Sequence, residues 1–340
     1  ITNYLLLKFI IYNQMRLKKI PIKRERLTFN GKLSMKNLLK TLPESKTKSL
    51  AALLHFPSFF RIGVGSLGLL YFLSIWGDFN LLYTSKLIPF DLMAVLSSNI
   101  DPITKGLLEH IFDANYTDEF YTTLKIIYPV SLLFLILGYK TRIAAFCAAF
   151  CYAFIFFGSE LYVYGVDQFM FHSFLFCLIF PVSDYSLIDY FRKKIHKITT
   201  KDSQLLMRNI LRVSLCVVYF FSGLSKVIDG SGWWNGQKML TALHFNINIK
   251  TVNMINWLSE YPILLIGGGI FTIILELLYP FLIFPKKTRP IVLYSTITLH
   301  ILIALFLSLY TFALIMIIWN ITAFYDFNAL NSQRTIKNKS

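Results

Sequence analysis

Residues 209–228 read NILRVSLCVVYFFSGLSKVI, and this stretch decides the fold class. At a rise of about 1.5 Å per residue it forms a helix about 30 Å long, which matches the hydrocarbon thickness of a bilayer. Its charged residues, Arg212 and Lys226, lie toward its two ends, where long side chains can reach the headgroups. The stretch therefore predicts a transmembrane helix.

Apolar segments of similar length occur on both sides of this stretch. The composition agrees, because 55% of the residues are hydrophobic and 15% are charged, whereas soluble domains are about a quarter charged. The third segment (143–163) and the eighth segment (310–325) are short. The last two segments can instead form a re-entrant pair, because only LSLYT separates them. We therefore predict an all-α integral membrane protein, a bundle of about eight transmembrane helices. The predicted spans lie near residues 60–77, 121–139, 143–163, 168–188, 209–228, 262–284, 290–308 and 310–325.

Lysine and arginine cluster in alternate connections between the predicted spans. The net charge is +16, and FRKKIHK (191–197) and KKTR (286–289) are typical of cytoplasmic loops, while the other loops hold most of the acidic residues. We expect a basic cytoplasmic arm (1–54) against anionic lipid, a transmembrane domain (55–328) and a basic cytoplasmic tail (329–340). No basic patch alternates with aromatic residues on a soluble domain, which argues against nucleic-acid binding.

The two long loops predicted on the outer side differ in pattern. Residues 78–120 contain LIPFDLMAVL and ITKGLLEHIF, which favour amphipathic helices at the outer interface of the membrane. Residues 229–261 contain GSGWWNG, whose Trp pair is either an interfacial anchor or a lid over a pocket. The sequence contains no P-loop, no dinucleotide-binding glycine motif and no HExxH.

Ionisable side chains within the predicted spans are candidate functional groups, because a charge in hydrocarbon is costly. Lys226 ends the fifth span, where apolar surroundings disfavour its charged form and make it a candidate general base. The alternative is that Lys226 extends to the outer interface. Asp167 opens the fourth span, where it can bind a cation, pair with Lys226 or cap the helix. His172 follows in that span and either lines the same cavity or is a structural hydrogen bonder.

Glu276 and His300 lie near the middle of the sixth and seventh predicted spans. On neighbouring helices they can hydrogen-bond each other or a ligand, or form a satisfied buried polar pair. Arg61 and Arg212 lie near the cytoplasmic side and are interpreted as topology determinants or lipid contacts. We predict no metal site, because the four cysteines lie in apolar runs without ligand spacing.

The run YFFSGLSKVIDGSGWWNG (219–236) resembles the vitamin K-dependent γ-carboxylase-like membrane domain, called HTTM. That family shows aromatic residues, a glycine and a lysine at the end of a span, followed by a loop with Trp and Gly. LGYKTR (137–142), YGVDQF (164–169) and SLID (186–189) resemble further motifs of the family, and His300 falls where it has a histidine after a KKTR-like turn. The matching positions in the run are Tyr219, Phe220, Gly223, Lys226, Trp234 and Gly236.

The resemblance covers about residues 55–328 and implies a membrane enzyme that acts with a lipid-soluble, quinone-type cosubstrate. In the carboxylases the matching lysine is taken to be the base that deprotonates reduced vitamin K, so the resemblance makes Lys226 and His300 catalytic candidates. The expected cofactor is a reduced quinone in a cavity open to the bilayer. The other expected site residues are Glu276, Trp234 and Tyr219 at the cofactor, with Asp167 and His172 at the pocket mouth.

The Gly-x-Asp of YGVDQF resembles a bacterial branch of the family, which includes the membrane protein that helps to mature a secreted sporulation-delaying toxin. We therefore expect a protein of the bacterial cytoplasmic membrane, in contact with its lipids and without the lumenal domain of the carboxylases. Two other functions stay open. One is a non-catalytic maturation or immunity factor that binds a secreted peptide at residues 78–120 and 229–261. The other is a transporter in which Glu276, His300 and Asp167 form a proton path.

Overall fold

The structure, a computed structural model, describes the greater part of the predicted transmembrane domain. These residues belong to one compact unit, Leu53–Ser340. The predicted arm and tail, and nearly all of the predicted interfacial helices of 78–120, lie outside the described residues. The described ranges are 56–80, 117–156, 165–180, 182, 201–228, 231–244, 256–258 and 260–326.

The described residues are helical and contain no strand, which confirms the predicted all-α class. Two short helices, α6 and α7, follow the fifth long helix and lie in the predicted GSGWWNG loop. The helices are α1 (Phe56–Ile75), α2 (Thr117–Leu137), α3 (Thr141–Phe156), α4 (Gly165–Ile179), α5 (Lys201–Ile228), α6 (Ser231–Trp234), α7 (Gln237–His244), α8 (Pro262–Leu282), α9 (Arg289–Leu307) and α10 (Tyr310–Phe324).

Five of these helices are long and apolar enough to cross a membrane: α1, α2, α5, α8 and α9. Helices α3, α4 and α10 are apolar but have 16, 15 and 15 residues, which is shorter than the roughly 20 residues that a full crossing needs. The predicted spans 143–163 and 168–188 continue into residues that are not described. A short turn at Ser308 and Leu309, with Ser308 in the left-handed region at φ 55°, joins α9 to α10.

Helix α10 connects several helices of the bundle, because it packs against α1, α4, α5 and α9. Its buried side chains include Trp319, whose indole N–H donates a hydrogen bond to Ser173 Oγ of α4 at 2.8 Å. Close packing matters here because lipid supplies no hydrophobic force between helices. At Gly65 of α1, for example, a Cβ atom would lie 2.8 Å from Ile136 of α2.

Arginines bind the C-terminal carbonyls of helices at one end of the bundle. Arg61 is fully buried and donates to the carbonyls of Leu135, Ile136 and Val182, beyond or near the ends of α2 and α4. The last carbonyls of a helix lack intrahelical partners and carry the negative end of its dipole, so a guanidinium satisfies both needs. The interpretation of Arg61 as a lipid contact is therefore wrong, since the side chain is enclosed by protein.

Arginine side chains also bind the carbonyls at the C-terminal ends of α10 and α8. Arg208 and Arg212 of α5 both donate through Nε to the Ala323 carbonyl at 2.9 Å, so Arg212 also binds protein rather than lipid alone. Arg289, the first residue of α9, donates to the Ile283 and Phe284 carbonyls that follow α8, at 3.2 and 2.6 Å. Consecutive long helices therefore alternate in direction, with their basic ends together.

Candidate functional site

The Lys226 ammonium lies between α5 and α8 and forms an ion pair with Glu276. Its Nζ atom is 2.6 Å from Glu276 Oε2 and 2.6 Å from Ser222 Oγ, one turn earlier on α5. The two charged side chains are 15% and 10% exposed. A charge pair this far from water is stabilised only when its remaining hydrogen-bonding capacity is also used, which the Ser222 hydroxyl accomplishes in part. The pair is the main ionisable feature of the described helices.

Gly223 explains why the two helices come close enough for this pair. A Cβ atom at this position would lie 2.9 Å from the Leu277 nitrogen and 3.1 Å from the Glu276 Cβ. Any larger residue would therefore push α8 away from α5. The glycine of the YFFSGLSK run thus sets the helix separation, and Lys226 follows it by three residues, close to one turn.

Trp233 of α6 covers the ammonium group. Lys226 Nζ lies 5.1 Å from the centroid of a Trp233 ring, within the range of a cation–π contact. The α6–α7 segment reaches this place because α8 contains three consecutive glycines, and a Cβ atom at Gly269 would collide with the Trp233 carbonyl oxygen. Trp234, the tryptophan expected at the cofactor, is 43% exposed, as an interfacial anchor would be.

A second polar cluster joins α5, α8, α9 and α10 through four buried side chains. Tyr219 Oη lies 2.7 Å from His300 Nε2, and Asn320 Nδ2 donates to Tyr219 Oη at 2.8 Å. Tyr279 Oη donates to Asn320 Oδ1 at 2.7 Å, and Asn320 Nδ2 also donates to the Met316 carbonyl at 2.8 Å. Asn320 is therefore the centre of the cluster.

The donors and acceptors of this cluster determine which atom donates in each of its hydrogen bonds. The Met316 carbonyl accepts from Asn320, which fixes the amide nitrogen on that side and leaves Oδ1 for Tyr279. Tyr219 Oη accepts from Asn320, so its own proton is available for His300 Nε2. The opposite direction would leave the Tyr219 proton unused, at a cost of about 1–3 kcal/mol. A neutral His300 that accepts this hydrogen bond at Nε2 carries its proton on Nδ1.

Glu276 and His300 do not contact each other as a pair, contrary to one of the interpretations from the sequence. Glu276 is paired with Lys226, and His300 with Tyr219. The two clusters still lie on one face of α5, since Tyr219 and Lys226 are seven residues apart, which is about 10 Å along a helix.

Asp167 and His172 of α4 lie elsewhere in the bundle. Asp167 is buried at 1% exposure and accepts a hydrogen bond from Tyr152 of α3 at 2.7 Å. His172 is exposed, and its Nδ1 lies within hydrogen-bonding distance of the Gln168 carbonyl of the preceding turn. The suggested pairing of Asp167 with Lys226 is wrong, because the carboxylate that pairs with Lys226 is Glu276. Among the described residues, no three His, Cys, Asp or Glu side chains are grouped to hold a metal ion.

Sequence reasoning did not select several residues of these clusters. Ser222 is one turn before Lys226 in the motif, a spacing that places both on one helix face. Asn320 is a lone amide within the apolar run IMIIWNITAF, and a buried amide in a span needs partners. Both signals were available in the sequence. The missed residues are Ser222, Tyr279 and Asn320. Of the predicted Trp pair, Trp233 rather than Trp234 lies over Lys226.

These features define a polytopic α-helical membrane protein with buried polar clusters between its C-terminal helices. The family model of the HTTM domain matches residues 112–328, so the chain belongs to the HTTM family, as predicted. No curated protein and no solved structure shows a significant match. The matched range begins later than the predicted 55 and includes α2 to α10, with both polar clusters.

Proposed function

We propose that the chain is a carboxylase-like membrane enzyme in which Lys226 is the base and a lipid-soluble, quinone-type molecule is the cosubstrate. The observation that carries this proposal is the pair of Lys226 and Glu276, 2.6 Å apart and mostly buried between two helices that are long and apolar enough to cross a membrane. Ionisable groups are rare in membrane-spanning helices and are functional candidates by default. The family membership supports a shared membrane scaffold, whereas the chemistry is argued from the pair.

The pair offers a way for Lys226 to become a base without a buried net charge. When the ammonium proton moves to Glu276, Lys226 is a neutral amine with a free lone pair, and the net charge of the pair stays zero. The amine then takes a proton from the cosubstrate, and the resulting ammonium lies next to the anion that it has produced. In apolar surroundings, where charge separation is costly, this internal transfer avoids an isolated charge.

The side chains around Lys226 have the chemistry that a flat apolar molecule with an acidic hydroxyl would need. The Trp233 ring supplies an aromatic face, the ammonium and the Ser222 hydroxyl supply polar contacts, and the helices around them are apolar. A reduced quinone bound there would supply the hydroxyl proton that Lys226 removes. In this proposal Glu276 holds the proton that Lys226 gives up and later returns it, and Trp233 positions the ring of the quinone. Tyr219 supports the neighbouring polar contact of His300.

The test compares Lys226→Met with Lys238→Met, because Lys238 is an exposed lysine on α7. Purified protein in liposomes is given a reduced naphthoquinone and oxygen, and consumption of the reduced naphthoquinone is followed by absorbance. Labelled bicarbonate incorporation into a glutamate-containing peptide measures carboxylation separately. We expect activity above protein-free liposomes for wild type and Lys238→Met, and a loss of at least about a hundredfold for Lys226→Met, typical for a general base. A folded Lys226→Met protein with wild-type rates would refute the role of the lysine.

The proposed topology has eight crossings and both termini on the cytoplasmic side of a bacterial inner membrane. The alternation of helix directions and the basic end of the bundle support it. Single cysteines at Lys140, Lys287 and Lys238, in a variant without native cysteines, test it with a membrane-impermeant maleimide. Labelling from outside is expected at position 238 and not at 140 or 287. Labelling of all three from one side would refute eight crossings.

The other functions stay predictions. A maturation or immunity factor would retain its partner after Lys226→Met, and pulldown of a secreted peptide by this variant would favour it over the enzyme. A transporter would move protons or a solute across proteoliposomes, and flux that Glu276→Gln abolishes would favour that function.

A further inference from the structure

Two polar atoms on one face of α9 are buried without a partner. Thr296 is 0% exposed and His300 is 3% exposed, and within the described part of the chain Thr296 Oγ1 and His300 Nδ1 have no hydrogen-bond partner. The two residues are four positions apart, so their side chains are neighbours on the helix surface. Buried polar atoms in proteins are nearly always satisfied, and two orphans side by side mark a place where another polar atom belongs.

The chain of hydrogen bonds that ends at His300 indicates whether the missing partner of these two atoms is a donor or an acceptor. Tyr279 donates to Asn320 and Asn320 donates to Tyr219, which leaves the hydroxyl proton of Tyr219 for His300 Nε2, 2.7 Å away. His300 Nδ1 therefore carries a hydrogen and is an unused donor. A threonine hydroxyl in a helix commonly donates to the carbonyl one turn earlier, but Thr296 Oγ1 has no such bond, and its proton is also available. The pair presents two donors and needs an acceptor.

We infer that the Thr296–His300 face of α9 is a binding position for a carbonyl-type oxygen of an apolar ligand, which accepts from His300 Nδ1–H and from the Thr296 hydroxyl. The surroundings favour an apolar molecule with an oxygen, since His300 also lies edge-on to Phe312, with ring centroids 5.8 Å apart. The inference rests on the proposed function in one respect: the occupant is the quinone-type cosubstrate, one oxygen of which gives its proton to Lys226 while the other accepts these two hydrogen bonds.

This assignment changes the role of His300. The sequence made it a catalytic candidate beside Lys226, whereas the hydrogen-bond chain makes it a donor that holds an oxygen in place. A histidine with its proton fixed on Nδ1 by Tyr219 cannot accept a proton at that atom. The two donors make the site specific for a ligand with an acceptor oxygen, because a hydrocarbon of the same shape would leave both donors unsatisfied.

The experiment measures the tautomer and the binding without turnover. Protein labelled with ¹⁵N-histidine is placed in nanodiscs, and the His300 signals are assigned by comparison with His300→Gln, because the chain has six histidines. We expect the Nδ1–H tautomer in the free protein. The probe is 2-acetylnaphthalene, an apolar ketone, and 2-ethylnaphthalene is the matched hydrocarbon without an acceptor. The ketone is expected to shift the Nδ1 signal, and the hydrocarbon to leave it in place.

Matched threonine variants complete the test. Thr296→Val removes the buried hydroxyl, while Thr298→Val makes the same change at an exposed position of α9. Loss of one hydrogen bond is expected to weaken ketone binding about fivefold in Thr296→Val and to leave Thr298→Val unchanged. Lys238→Met, at an exposed position, should bind the ketone as wild type does. The tautomer and ketone binding are measured without turnover, so a failure here is separable from a failure of the lysine as base.

Three results would overturn the inference. The first is an Nε2–H tautomer in the free protein. The second is an equal response to the ketone and the hydrocarbon, or no response to the ketone up to its saturation in the bilayer. The third is ketone binding that Thr296→Val and Thr298→Val affect alike.

Discussion

Replacement of Lys226 by Met would leave the Glu276 carboxyl group without its cation between α5 and α8. At a separation of 2.6 Å and an effective dielectric constant near 20, the attraction between the two unit charges is about 6 kcal/mol. Part of this is offset by the cost of removing both groups from water. The single variant should nevertheless lose about 3 kcal/mol of stability, because it retains the buried acid and loses the partner.

The double variant Lys226→Met, Glu276→Leu provides the decisive comparison. It removes both charges and fills the space with apolar groups, so its stability should be within about 1 kcal/mol of wild type. Stability is measured by steric trapping in bicelles or by SDS titration with helicity as the readout, and Lys238→Met is the control for loss of a lysine. The double-mutant cycle also includes Glu276→Leu, and the losses of the two single variants together should exceed the loss of the double variant by at least about 2 kcal/mol.

The reasoning would be refuted if the double variant were as unstable as Lys226→Met, because the cost would then come from packing. It would also be refuted if Lys226→Met alone were as stable as wild type, since the lysine would then be a solvated side chain. In contrast to stability, activity is expected to be lost in both variants. The pair would thus be retained for its chemistry, at no net gain in stability.

Further predictions concern close packing, the amide centre and the buried guanidinium. Gly223→Ala should cost about 1–3 kcal/mol by separating α5 from α8, whereas Gly267→Ala, which has open space around it, should be neutral or slightly stabilising in the same thermal unfolding assay. Asn320→Leu should cost about 2–4 kcal/mol, because it leaves buried tyrosine hydroxyls without partners, and equal stability of Asn320→Leu and wild type would contradict the cluster. Arg61→Lys should lower the unfolding midpoint, because one ammonium cannot reproduce the contacts of a guanidinium with separate helix ends, and an unchanged midpoint would show that those contacts contribute nothing.

The sequence alone determined the positions of the long apolar helices that the structure describes. Membrane partition depends on the summed polarity of a segment, so each apolar run identifies its helix whatever its neighbours are. The predicted span 262–284 corresponds to α8 and 290–308 to α9. For the same reason Lys226, Glu276 and His300 were visible as candidates, because an ionisable residue in an apolar run is conspicuous without any knowledge of its partners.

Only the tertiary structure decided which of these residues meet. The pairing of Lys226 with Glu276 rather than Asp167 depends on the rotation and separation of two helices that are 50 residues apart in the chain, and a single segment encodes neither quantity. Gly223 sets that separation, and its role appears only when the opposite backbone is in place. The burial of Arg61 is a further example, since its carbonyl partners are contributed by the ends of other helices. Polarity along one helix is a local property, whereas a polar contact between helices is a property of their packing.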